Sequence, residues 1–568
     1  MSSEKFETKY RRRSRFMWGL LYFSFFLLSF RLVSLHVFPD ERAITRASKQ
    51  YWTYIKTSSK RGIISDYHNV PLAISIPSFS FFIDPLEWEP ENAKKLKDFF
   101  SEKTIQRLSQ IHEGRFLWVA RKLTGDSVEK IRRLNLPGLY EIEEGKRVYP
   151  QGEDAAHILG YCDIDEKGLA GIELVYNSVL YSPPANHLIA KTAGGKMASI
   201  LSPEATQTLR EPGRVCLTID SRIQHILNEE LQEAIRKEKA RWGAILCIDV
   251  TSGAIRGMTS WPVFDANHRE TLANPEALRN NAIGRIYEPG STLKPVILGI
   301  ALELGLVGWE EEFSCPGRIR VADGWISEIY GRGHGKIAPQ DIIAKSSNVG
   351  MAQIGARIKP QDGYDYLRFW GFGSQTGIQF PGEEKGILHK PEQWLGVVPA
   401  NIAIGQGIAV TPLQLLSAVG AIANGGKLYQ PYLVESIENE HERFQYRGSS
   451  HVRNHVLTEV TARRLRESML RVVEQGSGRA AKISGISVAG KTGTAQIAQK
   501  GAYAEDSYVA SFVGFWPAED PVLSLLVIIG EPQSGNDQGG KVAAPVFRKI
   551  VEKISAFEPE FGQHGVYR

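Results

Sequence analysis

A basic segment runs straight into an apolar one at the start of the chain, and this junction divides everything that follows. Lys5, Lys9, Arg11, Arg12, Arg13 and Arg15 stand against only Glu4 and Glu7 in residues 1–16, and residues 17–37 are then almost wholly apolar. As a helix, such a stretch spans roughly 30 Å, about one hydrocarbon core. Arg31 lies near the far end, where its charge can snorkel to the headgroups. Ser34-Leu35-His36 lacks the small-x-small pattern of a signal-peptide cleavage site, so the expectation is an uncleaved anchor. The positive charge ahead of the span places residues 1–16 in the cytoplasm and the bulk of the chain outside the cytoplasmic (inner) membrane. No second span follows, so the protein reads as single-pass.

What lies beyond the anchor is long enough for two or three domains in a chain of 568 residues. With 42% hydrophobic and 23% charged residues it has the balance of a globular protein. A net charge of +5 is small for this length and argues against a nucleic-acid-binding surface. Cys162, Cys216, Cys247 and Cys315 are widely separated with no C-x-x-C pair, which argues against a zinc or thioredoxin-type site. Cys216 and Cys247 fall in apolar runs and read as buried free thiols, with a disulfide left open.

Residues 38–60 are polar and read as a juxtamembrane segment. Residues 61–205 mix short strand-like runs such as Phe79 to Ile83 with a few helical stretches, and Asp66, His68 and His157 stand isolated there in surface or packing roles. A different pattern occupies residues 206–568. Val215 to Ile219 reads as a strand, Asp220 or Ser221 as a helix cap, and Ile223, Ile226, Leu227 and Leu231 as one helix face. Ala244 to Val250 and Ala254 to Ser260 flank Thr251-Ser252-Gly253, a hairpin signal. Late strands are expected at 486–495, 508–516 and 522–529, with a closing helix at 542–554. Strands at both ends and a long apolar middle predict an α+β fold, one antiparallel sheet lying between helices.

Three short groups carry chemistry: Ser291-x-x-Lys294, Ser346-x-Asn348 and Lys491-Thr492-Gly493-Thr494. Each is weak alone. Ser-x-x-Lys recurs at Ser2/Lys5 and Ser127/Lys130, and Ser-x-Asn at Ser534/Asn536. Ser291 follows Glu288-Pro289-Gly290, and a helix starting there tolerates Pro295 in its first turn. Residues three apart share a helix face, so Lys294 can reach the Ser291 hydroxyl and, if neutral, activate it. Ser346 and Asn348 are expected at a helix–loop junction. Strand alternation sends Thr492 and Thr494 to one face and Lys491 to the other, and Gly493 leaves room for a ligand backbone at an edge strand. Placed on an early helix, a middle loop and a late strand of one domain, the groups have the layout of a cleft for serine acyl transfer.

From residue 61 to the end the chain resembles a class B penicillin-binding protein, with most similarity to the septal transpeptidase branch. Beyond the three groups, Arg61 to Asp66, Arg147 to Pro150 and Leu169 to Glu173 resemble motifs of that family's non-catalytic pedestal. Tyr287 to Pro295, Gly405 to Leu413, Ser511 to Pro517 and Gly539 to Ile550 resemble its transpeptidase-domain signatures. Tyr67-His68-Asn69-Val70 departs from the family's Arg-Asn-Gly turn. The resemblance implies an anchor, an elongated mixed pedestal (dimerisation-like) domain and a penicillin-binding/serine β-lactamase-like domain.

It further implies that Ser291 attacks the penultimate D-alanine carbonyl of a peptidoglycan stem peptide while Lys294 accepts its proton. Ser346, Asn348 and Lys491 would maintain the proton network. Thr492, Gly493 and Thr494 would bind substrate, and the backbone N–H groups of Ser291 and Thr494 would form the oxyanion hole. β-Lactams would acylate the same serine. Expected partners are a membrane glycan polymerase of the SEDS family and other division proteins, with no cofactor, metal or nucleic acid. The alternatives are an elongation-type transpeptidase, a DD-carboxypeptidase or β-lactamase, and a non-enzymatic division scaffold.

Overall fold

The computed structural model describes residues 3–37, 52–57, 61–111, 116–182, 185–191, 197–200, 212–438, 444–499 and 502–558. It divides into two compact units. The first, Met1–Ser59 with Pro183–Leu209, holds a helix over Ser3–Val37 and an antiparallel sheet of Trp52–Thr57, Ala185–Lys191 and Met197–Ile200. Within that helix Thr8–Ser34, 27 residues, is long and apolar enough to cross a membrane. Its Phe, Leu, Tyr and Trp side chains are exposed.

The second unit, Lys60–Ser182 with Arg210–Arg568, holds the pedestal as far as Ser182 together with nearly all of the second resembled domain. Its N-terminal part is built on the long strand Pro71–Ile83, which pairs with Leu117–Leu123 and Leu139–Val148. The three pedestal motifs meet in one buried ion cluster. Glu173 accepts from Arg61 Nε and from Arg147 Nε, both at 2.6 Å, Arg61 also donates to the Glu166 carbonyl at 2.6 Å, and Arg147 to the Gly62 carbonyl at 2.7 Å. Buried charges persist only when partnered in this way. At the departure from the family turn, Asp66 Oδ1 accepts from His68 N and Val70 N, and Asn69 takes the left-handed conformation at φ 62°. His157 is buried, with Nε2 2.8 Å from the Ala277 carbonyl.

In chain order, the elements that position the site are α1 (Ser221–Glu238), β1 (Trp242–Asp249), β2 (Ile255–Trp261), α2 (Lys294–Glu303), α3 (Asn348–Gly355), α4 (Pro412–Ala423), β3 (Ala489–Gln499), β4 (Ala502–Trp516), β5 (Leu523–Gly530) and α5 (Gly539–Phe557). The five strands form one antiparallel sheet in the order β2-β1-β5-β4-β3, with β3 at an edge. Alternation divides its faces. Ile245, Cys247, Phe512, Leu525 and Val527 join the core with α1 and α5, whereas Leu246, Ile248, Val513, Leu526 and Ile528 join the core with α4. This is the expected sheet between helices, and Asp220 is the residue that caps α1, accepting from Arg222 N.

One strand lies elsewhere than expected. Arg214–Leu217 pairs parallel with Ile64–Ser65 and antiparallel with Val434–Glu438, outside the five-stranded sheet. Val215 and Leu217 are fully buried there. A short apolar run announces a strand but carries no information about which sheet receives it. All four cysteines are free, with Cys216, Cys247 and Cys315 buried and Cys162 part-exposed.

Candidate functional site

Ser291 sits on a 3-10 turn, Gly290–Leu293, and the α-helix begins only at Lys294. The expected helix start at Ser291 is thus one tight turn, closed by Lys294 N–H donating to the Ser291 carbonyl, with Pro295 in the first turn of α2 where no donor is needed. Tyr287 and Val410 exchange backbone hydrogen bonds at 3.0 and 2.9 Å, and Gly290 N donates to the Gly405 carbonyl at 3.0 Å. The stretch Gly405 to Leu413 therefore braces the turn from behind.

Ser346 ends the helix Pro339–Lys345 in the left-handed conformation, φ 59°. Ser347 then caps α3 by accepting from Gly350 N. Lys294 Nζ donates to the Ser346 carbonyl at 2.7 Å, to Asn348 Oδ1 at 2.7 Å and, more weakly, to Ser346 Oγ at 3.3 Å. Lys491 Nζ donates to Ser346 Oγ at 2.9 Å and to the Thr492 carbonyl at 3.1 Å. The three sequence groups thus meet. The Ser291 hydroxyl has no hydrogen bond to a described residue.

Both lysines are fully buried. Burial pushes Lys294 down to about 7, against an opposing pull from the Glu328 carboxylate. Lys491 is held well below the usual lysine range by burial, and next by the charge of Lys294. A buried amine with neighbours of like sign loses its proton readily. Neutral Lys294 has two N–H groups for its two short hydrogen bonds and a lone pair left to take a proton.

On β3, Lys491 pairs across from Val513 and Thr492 from Phe512, so alternation separates their side chains as expected. The Thr492 hydroxyl is 2.8 Å from that of Ser477, and Thr494 Oγ1 accepts from Gly539 N at 3.1 Å. Gly493 was expected to leave room for a ligand. The protein itself fills that space, because a Cβ there would lie 2.4 Å from Ser511 Oγ and 2.8 Å from Thr292 Cγ2. Gly539 is likewise pressed against β3 and β4, its Cβ position 2.2 Å from the Gly493 carbonyl oxygen. Ser477, exposed beside Thr492, and Glu328, buried against Ser347, were not singled out from sequence. Neither stands in a local pattern that marks it. Among the described residues no cluster of His, Cys, Asp or Glu could hold a metal ion.

Comparison with known proteins agrees with this architecture. The family model for the penicillin binding protein transpeptidase domain matches residues 243–552, and that for the penicillin-binding protein dimerisation domain matches residues 56–208. The chain is 31% identical over 550 residues to stage V sporulation protein D of Bacillus subtilis (strain 168), covering 95% of this chain and 85% of that protein. It is 29% identical over 538 residues to the peptidoglycan D,D-transpeptidase FtsI of Escherichia coli K12, covering 93% and 88%. The crystal structure of penicillin binding protein 3 from Mycobacterium tuberculosis complexed with aztreonam superposes with a TM-score of 0.69 at 25% identity, over 89% of this chain and 97% of the other. The chain belongs to the penicillin-binding protein transpeptidase family, as a class B member whose transpeptidase domain follows a dimerisation domain. It is a peptidoglycan D,D-transpeptidase of the type that includes FtsI.

Proposed function

We propose that this transpeptidase works through an acyl-enzyme on Ser291 and serves septal wall synthesis at cell division. The observation that carries the site assignment is the buried Lys294 amine, held by Ser346 and Asn348 and depressed to about 7. Neutral Lys294 takes the Ser291 proton as Oγ attacks the penultimate D-alanine carbonyl of a stem peptide. Backbone N–H groups of Ser291 and Thr494 receive the developing oxyanion, and the open edge of β3 suits pairing with an extended peptide. The terminal carboxylate lies among the hydroxyls of Thr492, Thr494 and Ser477. Ser346, bonded to both lysines, relays a proton to the departing D-alanine. A stem-peptide amine from a neighbouring strand then attacks the ester, which frees Ser291 and leaves a cross-link. β-Lactams enter at the same serine.

Residues 17–37 are the anchor, with residues 1–16 in the cytoplasm. Residues 38–60 lead to the pedestal at 61–205, and residues 206–568 do the chemistry outside the membrane. Support comes from the apolar helix and from the basic residues before it. The anchor and pedestal pair with a SEDS-family glycan polymerase. The test combines chemistry with location. Full-length protein is incubated with nascent peptidoglycan carrying pentapeptide stems, and a fluorescent fusion is imaged in growing cells. Cross-linked muropeptides with wild type but not Ser291→Ala, and a fusion concentrated at the division site, are expected. Cross-linking by Ser291→Ala overturns the site assignment, and a fusion confined to the side wall overturns the septal one.

A further inference from the structure

Glu328 follows a small hairpin, Arg318–Val321 paired with Gly324–Ser327, and is 6% exposed. Its Oε1 accepts from the Ser347 hydroxyl at 2.5 Å and from Val349 N at 3.3 Å, and its Oε2 from Asn348 N at 2.9 Å. The preceding carbonyl, Ser327 O, accepts from Asn348 Nδ2 at 3.0 Å. Ser327, the last residue of the hairpin, and Glu328 after it thus hold Ser347, Asn348 and Val349 through both backbone and side chains. Immediately before them, Ser346 sits at φ 59°, a conformation that residues other than glycine adopt only when their surroundings impose it. The groups fixed by this grip are the ones that Lys294 and Lys491 bind: the Ser346 carbonyl and hydroxyl and the Asn348 amide oxygen.

We infer that Glu328 is a positioning residue for the transpeptidase reaction: it holds the Ser346–Asn348 loop in register with Lys294 and sets a negative charge facing that buried amine. The inference rests on Lys294 acting as the base for Ser291. A carboxylate suits this place because every group it meets there is a donor. A glutamine would turn its NH2 toward either Asn348 N–H or the Ser347 and Val349 donors, and at least one hydrogen bond would be lost.

The charge acts on Lys294 against the effect of burial. Other titratable groups face the same carboxylate. His334 Nε2 is 3.9 Å from Oε2. The Cys315 thiol is pushed up by burial and by Glu328, with the Ser347 hydrogen bond and Lys345 pulling it back. Lys491 faces the site through Lys294. Removing the Glu328 charge lets Lys294 lose its proton at lower pH.

The test uses full-length protein and a fluorescent penicillin, with the second-order acylation rate followed from about pH 5 to 9. For Glu328→Gln the expected result is a plateau rate lower by about 10- to 100-fold, the size of effect that misplacement of a catalytic group produces, with the rising limb moved to lower pH. Ser347→Ala, which keeps the charge but loses the hydrogen bond to Glu328 and the cap on Gly350 N, is expected to lower the rate without moving the limb, and Glu328→Asp to return the limb toward its original position. A folded Glu328→Gln protein with the wild-type rate, or with a limb that stays in place, overturns the inference. If Glu328→Gln does not fold, a wild-type rate in Ser347→Ala overturns it. Failure of the underlying reading would appear separately, as a wild-type rate in Lys294→Ala.

Discussion

Lys491 Nζ donates to Ser346 Oγ at 2.9 Å across 145 residues of sequence, and Lys294 Nζ reaches the carbonyl of the same serine at 2.7 Å. Ser346 is thus the junction between the edge strand and the helix that follows Ser291. Two amines buried around one hydroxyl cannot both hold a full charge cheaply. Lys294, brought down to about 7, is therefore poised to accept and return a proton near neutral pH.

The first expectation concerns pH. Only neutral Lys294 can take the Ser291 proton, and burial brings that amine down to about 7. The acylation rate should rise as pH passes upward through about 7 and then level off. Stopped-flow measurement with a chromogenic β-lactam checks this. A rate that falls over that range contradicts the base assignment.

Gly493→Ala tests how tightly β3 is pressed on the Ser291 turn. The new methyl group would lie 2.4 Å from Ser511 Oγ and 2.8 Å from Thr292 Cγ2. Overpacking of this kind costs about 1–3 kcal/mol. A lowered thermal midpoint is expected together with an acylation rate reduced at least about tenfold, because the turn carrying Ser291 must shift.

His157 makes the fold sensitive to acid. Burial lowers it from 6.5 to about 4. The unfolded chain therefore takes up this proton first as pH falls below about 6.5. Stability contributed by the neutral ring is fully present above that point and declines until about pH 4, by roughly 3 kcal/mol at most. Thermal unfolding of wild type and His157→Gln across this range should show a steeper acid loss in the wild type.

Much of this architecture is readable along the chain because it follows from local periodicity. The hairpin of β1 and β2, the late strands and α5 all announce themselves by alternation or by turn residues, and alternation also separates Lys491 from Thr492. What periodicity leaves out is partner choice. Nothing near Val215 says that its strand joins Ile64 rather than Ala244, and nothing near Glu328 says that it will hold a loop beginning 18 residues later. Gly493 shows the same gap in another form. Its glycine is visible in the sequence, but only the fold reveals that Thr292 and Ser511 occupy the space. The 3-10 turn at Ser291 depends on bracing from Gly405 and Val410, more than a hundred residues away, which no local signal records.

The most direct measurement of the proposed chemistry is intact-mass analysis of full-length protein after brief exposure to a penicillin, followed by peptide mapping. Wild type is expected to carry one covalent adduct per chain, located on the peptide containing Ser291, while Ser291→Ala, with an unchanged thermal midpoint, carries none. Stoichiometric labelling that persists in Ser291→Ala, or an adduct mapped to another residue in wild type, would contradict the assignment of Ser291 as the nucleophile.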